Sequence, residues 1–368
     1  MIRLGGHMTP QVCVAIVNWN GWHHTIECLE SLARQGYGSY QIVVCDNGSR
    51  DRSVERIQTW AEGKLEARSE GGAVVSGLVS PSVAKPISSI TYDRSTAEKG
   101  GVKEGGECRL VIVRLDRNYG FAGANNVALR YALSRPGFDY FWLLNNDTVV
   151  HPNAMAELVN VMRSNRSIGM CGSTLLDYDT PTRVQAAGGC VYSRWLGTGF
   201  KRMAHANYSE VRLQLEHIGG ADYVVGASMM VSRAFVEEVG LMDESYFLYF
   251  EEVDWARRAK KRFAIGYAPG SIVYHKLGAT IGRKHGVSLR KQFRSEYYFV
   301  RNRLRYTARH FPYAMPTVCL AILGSNLWRI ISGQTREAAV LMRAWLKVLR
   351  QQFGASKARP VPAKNATQ

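Results

Sequence analysis

Residues 12–49 read VCVAIVNWNGWHHTIECLESLARQGYGSYQIVVCDNGS, two apolar runs that each end in Asn/Asp turn residues. Val12–Trp19 is predicted as a strand. Ile26, Leu29 and Leu32 then fall at helical spacing, and the helix stops before Gly36. Gln41–Cys45 is a second strand, closed by the turn Asp46-Asn47-Gly48-Ser49. Strand, helix and strand in immediate succession make a βαβ unit.

The same alternation extends outward. Val54, Ile57 and Trp60 mark a second helix, and Leu110–Arg114 and Tyr140–Leu144 read as strands around a helix near Ala122–Ser134. Met155, Leu158, Val159 and Met162 stripe the helix after that. An α/β fold with a mostly parallel central sheet follows. Gly63–Cys108 collapses into Gly, Ser and charges and is expected to be a flexible surface insertion. From Arg290 the chain turns helical. Phe311–Trp328 carries no charge but is interrupted by Pro312, Pro316, Gly324, Ser325 and Asn326. It is borderline against the ~20 apolar residues of a membrane span. In Arg336–Arg350, Arg336, Arg343, Lys347 and Arg350 share one helical stripe opposite Leu341, Trp345, Val348 and Leu349. That face suits either an anionic membrane surface or packing on the protein itself.

The 368 residues, 46% of them hydrophobic, suffice for a large core. Seven scattered cysteines without a CxxC pair argue against a disulfide framework or structural zinc and for a reducing compartment. Met1–Pro10 lacks the apolar run of a signal peptide, so a cytoplasmic location is expected. The net charge is +17, and Ala256–Arg309 holds fifteen Lys/Arg against one acid, Glu296. Such a block seeks an anionic partner. Nucleic acid, phospholipid headgroups and phosphorylated substrates all qualify, and no recognised nucleic-acid-binding motif accompanies the block.

Four strand-end elements carry candidate chemistry. Asp46 ends the second strand, where open α/β sheets bind ligands, and its carboxylate can accept a pyrimidine ring N–H; a plain Asp-Asn-Gly turn has the same sequence. Asn145-Asn146-Asp147 follows a strand and offers one acid to Mg²⁺ or Mn²⁺, or else an Asx turn. Glu251-Glu252-Val253-Asp254 follows the aromatic run Tyr246–Phe250. Aromatic surroundings raise a carboxylate toward general-base range, and acids also favour the first turn of a helix. His275 ends a last predicted strand.

Taken in order, these elements resemble the family 2 glycosyltransferases, whose catalytic domain has the GT-A fold. The matching pieces are Val17-Asn18-Trp19-Asn20, Asp46-Asn47-Gly48-Ser49, Asn118–Asn126, Asn145-Asn146-Asp147, Glu251–Asp254 and His275. The likeness runs from about Val12 to Gly278, and its spacing is similar to the rhamnosyltransferase-like branch, which also contains galactofuranosyltransferases. It implies that Asn18, Asn20, Asp46, Asn118 and Asn126 hold the nucleotide. Asn146 and Glu251 would face the donor diphosphate. Asp147 and His275 would bind the divalent metal, Mg²⁺ or Mn²⁺. Glu252 would be the catalytic base, with Asp254 its rival. Two positions depart from the family: Asn145 and Asn146 replace acids, and the base motif reads Glu-Glu where Glu-Asp or Asp-Asp is usual.

The resemblance implies an inverting transfer of a sugar, rhamnose in its nearest branch, from a dTDP- or UDP-sugar to a hydroxyl of a saccharide or polyprenyl-linked saccharide in cell-surface polysaccharide synthesis. The expected organisation is a catalytic domain over 1–285 with its insertion at 63–108, a membrane-associated helical region over 286–353 that also suits homo-oligomer contacts, and a disordered tail over 354–368. A nucleotidyltransferase acting on sugar phosphates and a basic nucleic-acid-binding protein are the alternative readings.

Overall fold

The computed structural model describes residues 9–102, 108–212, 214, 219–276 and 289–354. The boundary expected at 285 and the tail beyond Gly354 lie outside them. Two compact units divide the chain, one of residues 1–193 and 199–280, the other of 194–198 and 281–368.

In the first unit β1 (Gln11–Asn18) leads through α1 (Trp22–Leu32) to β2 (Tyr40–Asp46), and α2 (Ser53–Ala61) follows. Between polar ends, Val12–Val17 and Ile42–Cys45 are continuous apolar runs because both faces of these strands are covered, as in the centre of a parallel sheet. Ile26, Leu29, Leu32, Val54, Ile57 and Trp60 all lie in the core beside them. The segment from residue 63, expected to be flexible, is corrected in part. It carries α3 (Ala73–Ser76), an edge strand β3 (Ser89–Asp93) paired with β4 (Leu110–Arg114), and α4 (Arg94–Glu98) between those two strands. Glu30, fully buried, holds this segment down. It accepts from Trp60 Nε1 (2.8 Å) and Lys85 Nζ (3.0 Å).

α5 (Gly120–Leu133) precedes β5 (Phe138–Asn145), then come β6 (Thr148–Val150) and α6 (Ala154–Ser164). β7 (Ile168–Asp177), β8 (Val184–Ala186), the hairpin β9 (Cys190–Ser193) and β10 (Thr198–Lys201), and α7 (Tyr208–Val211) follow. The unit ends with β11 (Ser228–Ser232), α8 (Arg233–Val239), α9 (Glu251–Ala259) and β12 (Ala264–His275). The main sheet runs β3-β4-β2-β1-β5-β11-β7-β12-β6, with β8 beside β7. From β3 to β5 every pairing is parallel. β11 is antiparallel to both of its neighbours, β5 and β7, and β7 is again parallel to β12.

The second unit holds α10 (Leu289–His310), α11 (Met315–Ile331) and α12 (Thr335–Gly354). Val300 and Leu304, Val318 and Ile322, and Leu341 and Val348 form its core, one pair from each helix, with Trp345 packed against it. The apolar face of Arg336–Arg350 is therefore packed within this unit, which excludes the use of that face on a membrane.

Candidate active site

The parallel half of the sheet brings the C-terminal ends of β1, β2 and β5 together, and a polar network ties them. Asn18, fully buried, donates to Asp46 Oδ1 (2.7 Å) and to Ser49 Oγ (3.2 Å), and its Oδ1 accepts from Thr25 (2.8 Å). Asn146 joins by donating to Thr25 Oγ1 (3.1 Å). Asn20, in the left-handed region at φ 50°, offers its N–H to Ser49 Oγ (2.9 Å) and accepts from Arg50 N–H (2.8 Å). Asp46 is thus fixed at the strand edge by the Asn18 side chain and by the Ser49 N–H, which donates to its Oδ2 (3.2 Å). Gly48, at φ +71°, lets this turn close: a Cβ there would stand 2.7 Å from the Arg117 backbone. Asn47 bridges to the next element, donating to Asn118 Oδ1 (3.1 Å) and accepting from Tyr119 N–H (2.8 Å).

Asn126 is a correction. It is buried away from this edge, donating to Met242 O (2.9 Å) and Glu244 Oε1 (3.0 Å) and accepting from Met242 N–H (3.2 Å), so its amide is fully occupied in anchoring the chain before α9. That stretch is strained. Phe247, Tyr249 and Phe250 all have left-handed φ (62°, 68° and 73°), conformations that cost of order 1–3 kcal/mol each. Phe121 N–H donates to Phe247 O (2.7 Å) and pins the stretch to the start of α5.

The strain sets the start of α9 and the environment of Glu252. Its Oε2 is buried without a hydrogen-bond partner among the described residues. Burial pushes its carboxyl up to about 7, with Lys201 pulling weakly the other way. Burial and then the neighbouring Glu252 push the Glu251 carboxyl well above the carboxylate range as well. A methyl at Gly226 would stand 4.0 Å from Glu252 Cδ and 3.8 Å from the Phe121 ring. Ala227, the next residue, accepts from Asn145 N–H (3.0 Å). One short segment therefore links Glu252 to the end of β5. Asp254, the rival base, is otherwise employed: it is fully buried and paired with Arg258 (2.9 Å), which also donates to Val239 O and Leu241 O.

At the far side of β5, Asp147 Oδ1 and His275 Nε2 converge to 3.4 Å. His275 Nδ1 lies 2.9 Å from Gln185 Oε1, and Gln185 Nε2 returns to His275 O (2.6 Å). Nε2 donates to Asp147 across this gap; with a metal ion between them, a ring that donates from Nδ1 to Gln185 would turn its Nε2 lone pair to that ion. Burial raises the Asp147 carboxyl, but His275 and His24 beside it outweigh that and hold it below the carboxylate range. No third His, Cys, Asp or Glu joins the pair among the described residues. Two protein donors that leave most positions open fit a hard divalent cation completed by phosphate oxygens and water.

Sequence reasoning missed Gln185 and the buried cluster next to it. Lys276 binds Glu27 and His24 Nδ1 (3.1 Å), and its ammonium lies 4.5 Å from the centre of the Tyr178 ring. Its own N–H donates to Asp147 O (2.9 Å). Lys276 follows His275 directly, the one local signal that would have found it.

A parallel half-sheet, one antiparallel strand as a seam and a carboxylate beyond it define an α/β protein of the GT-A type. Solved structures agree in fold. The mannosyltransferase PcManGT from Pyrobaculum calidifontis, in complex with GDP-Man and Mn²⁺, superposes with a TM-score of 0.52 at 14% identity, covering 94% of this chain and 88% of that one. GalNAc-T7 with UDP, GalNAc and Mn²⁺ gives 0.50 at 16%, covering 80% and 51%. Residues 93–298, more than half of the chain, match the glycosyltransferase-like family 2, and residues 13–73 match glycosyl transferase family 2. The chain belongs to family 2 of the glycosyltransferases.

Among curated relatives, the low-salt glycan biosynthesis hexosyltransferase Agl10 of Haloferax volcanii is 25% identical over 152 residues, 39% of this chain and 44% of that protein. The uncharacterized protein y4gI of Sinorhizobium fredii is 24% identical over 347 residues, 89% of this chain and 32% of that protein. The chain thus spans less than half the length of either.

Proposed function

We propose that the chain transfers a sugar from a nucleoside-diphosphate donor to a hydroxyl of a saccharide or lipid-linked saccharide, with inversion. The observation that carries this is the buried, unpartnered Oε2 of Glu252, its carboxyl pushed up to about 7 at the start of α9 and linked through Gly226 and Ala227 to the end of β5, the strand that leads into Asp147. Asp46, held by Asn18 and Ser49, accepts the ring N–H of the base, while Asn20 and Asn118 shape the turns around the nucleoside. Glu252 removes the acceptor hydroxyl proton as that oxygen forms a bond to the anomeric carbon and the bond to the diphosphate oxygen breaks. One displacement with one base inverts the centre, and no paired carboxylate is required.

Asp147 and His275 would hold a divalent cation, Mn²⁺ being the ion in both solved relatives' complexes. It supplies charge neutralisation to the departing diphosphate. Lys276, ion-paired with Glu27, and His24 line the same place beside Asp147. The rhamnosyltransferase-like spacing favours a dTDP- or UDP-linked deoxyhexose as donor, and the basic helical region favours a polyprenyl-linked acceptor at an anionic membrane face. Thermal shift with a panel of nucleotide sugars, with and without Mn²⁺, tests the reading. A metal-dependent rise in Tm for one nucleoside diphosphate is expected. No shift with any member would defeat it.

A further inference from the structure

α11 has one face that the fold does not use. Val318, Ile322 and Asn326 turn into the unit's own core. On the opposite side, at helical spacing, stand Leu320 (67% exposed), Leu327 (58%) and Ile331 (70%), flanked by Leu323 and Trp328. Arg329, the helix's one charged residue, points the other way and pairs with Glu296 (3.0 Å). The stretch Pro312–Ile331 has a mean hydropathy of 1.4, yet only 22% of its most apolar window is buried. A core helix of this composition would be mostly covered. An apolar stripe of this length left in water is an interaction surface.

Charge decides what covers it. Residues 289–354 carry twelve Lys/Arg against two acids, Glu296 and Glu337, and Arg336, Arg343 and Arg350 are exposed on α12. A second copy would bring the same positive charge to the contact, whereas an anionic bilayer neutralises it. Tyr313, 57% exposed, and Trp328, 68% exposed, add aromatic surface of the kind interfacial helices bury at the headgroup/acyl boundary. The buried face of α11 is already packed on α10 and α12, so lipid cannot surround the helix and it lies in the plane of the interface.

We propose that α11 docks this protein on an anionic membrane surface, with Leu320, Leu323, Leu327, Trp328 and Ile331 in the acyl layer. This rests on the membrane part of the function above and not on the transfer chemistry. The test is flotation of the full chain with phosphatidylglycerol/phosphatidylcholine vesicles and with pure phosphatidylcholine vesicles. The parent should float with anionic vesicles and at least ~10-fold less with neutral ones. Leu320→Asp combined with Leu327→Asp should lower partitioning at least ~10-fold, since each buried leucine is worth roughly 1.5–3 kcal/mol. Trp328→Phe should float like the parent but lose the part of the tryptophan fluorescence that brominated lipids quench. Undiminished flotation of the double variant, or equal flotation on neutral vesicles, overturns the proposal. So does a parent dimer in sedimentation equilibrium that the double variant makes monomeric, because the face then belongs to a second copy. Nucleotide-sugar affinity of the same preparations separates the two readings: its absence defeats the transfer function and leaves the lipid result standing.

Discussion

Two acidic neighbours on α9 have opposite fates, and the difference is environment. Glu252 keeps an unsatisfied buried oxygen, whereas Asp254 is neutralised by Arg258. Glu252→Gln should lower turnover by ~10²–10⁴-fold with donor affinity unchanged, as loss of a positioned base does. In the parent, turnover should rise with pH through about 7 as Glu252 ionises. Asp254→Asn should instead leave the half-buried Arg258 without its counter-charge and destabilise the fold by roughly 1–3 kcal/mol. Turnover, donor affinity and urea melts of both variants check this; loss of turnover in Asp254→Asn alone, without unfolding, would move the base to Asp254. Gln185 acts at one remove, by fixing the ring of His275. Gln185→Leu should weaken Mn²⁺ binding ~10–100-fold in calorimetric titration with nucleoside diphosphate present. Unchanged Mn²⁺ affinity would show that His275 needs no such anchor.

At the scale of elements, the legibility of the chain follows the range of the interactions. The strand ends and the acidic run that carry the candidates Asn18, Asp46, Asp147 and Glu252 stood out because apolar runs and the turns that end them are local signals. Gln185 could not, because it meets His275 only through the pairing of β8 with β7 and β7 with β12. β3 was hidden for another reason: an edge strand has one partner, and only Tyr92 of its five residues is buried, so no apolar run marks it. Asn126 was misread because its motif names a residue type and not its direction. Periodicity found the apolar face of α12 but said nothing about what covers it. The face that stays open belongs to α11, where interrupting prolines and polar residues blurred the signal.

For the whole molecule, the titrating carboxyls set how stability depends on pH. Glu251 and Glu252 have folded pKa values raised above the ordinary 4.5, so the folded state binds more protons than the unfolded one in the window up to about 7. Stability therefore falls as pH rises through that window. Asp147 and Glu244 are shifted the other way, and their contribution is lost as pH falls below the carboxylate range. A stability optimum at mildly acidic pH is expected for the ligand-free chain. Glu252→Gln should flatten the decline between pH 5 and pH 8, by on the order of 2 kcal/mol at the upper end. Denaturant melts across that range measure it, and an equal decline in parent and variant would locate the cause elsewhere.

The seam at β11 also bears on heredity. Asn18, Asn20, Asp46, Asn118 and Asp147 all precede it in the chain, and Glu252, its strained approach and His275 all follow it, so the Asp147–His275 pair is split across the seam. A single recombination between the codons of β7 and β11 would join halves from two lineages. Besides the backbone ladders of β11 with β5 and β7, such an exchange has to keep the Gln185–His275 and Asn126–Glu244 bonds. Those few side chains are the terms on which two inherited halves can be matched.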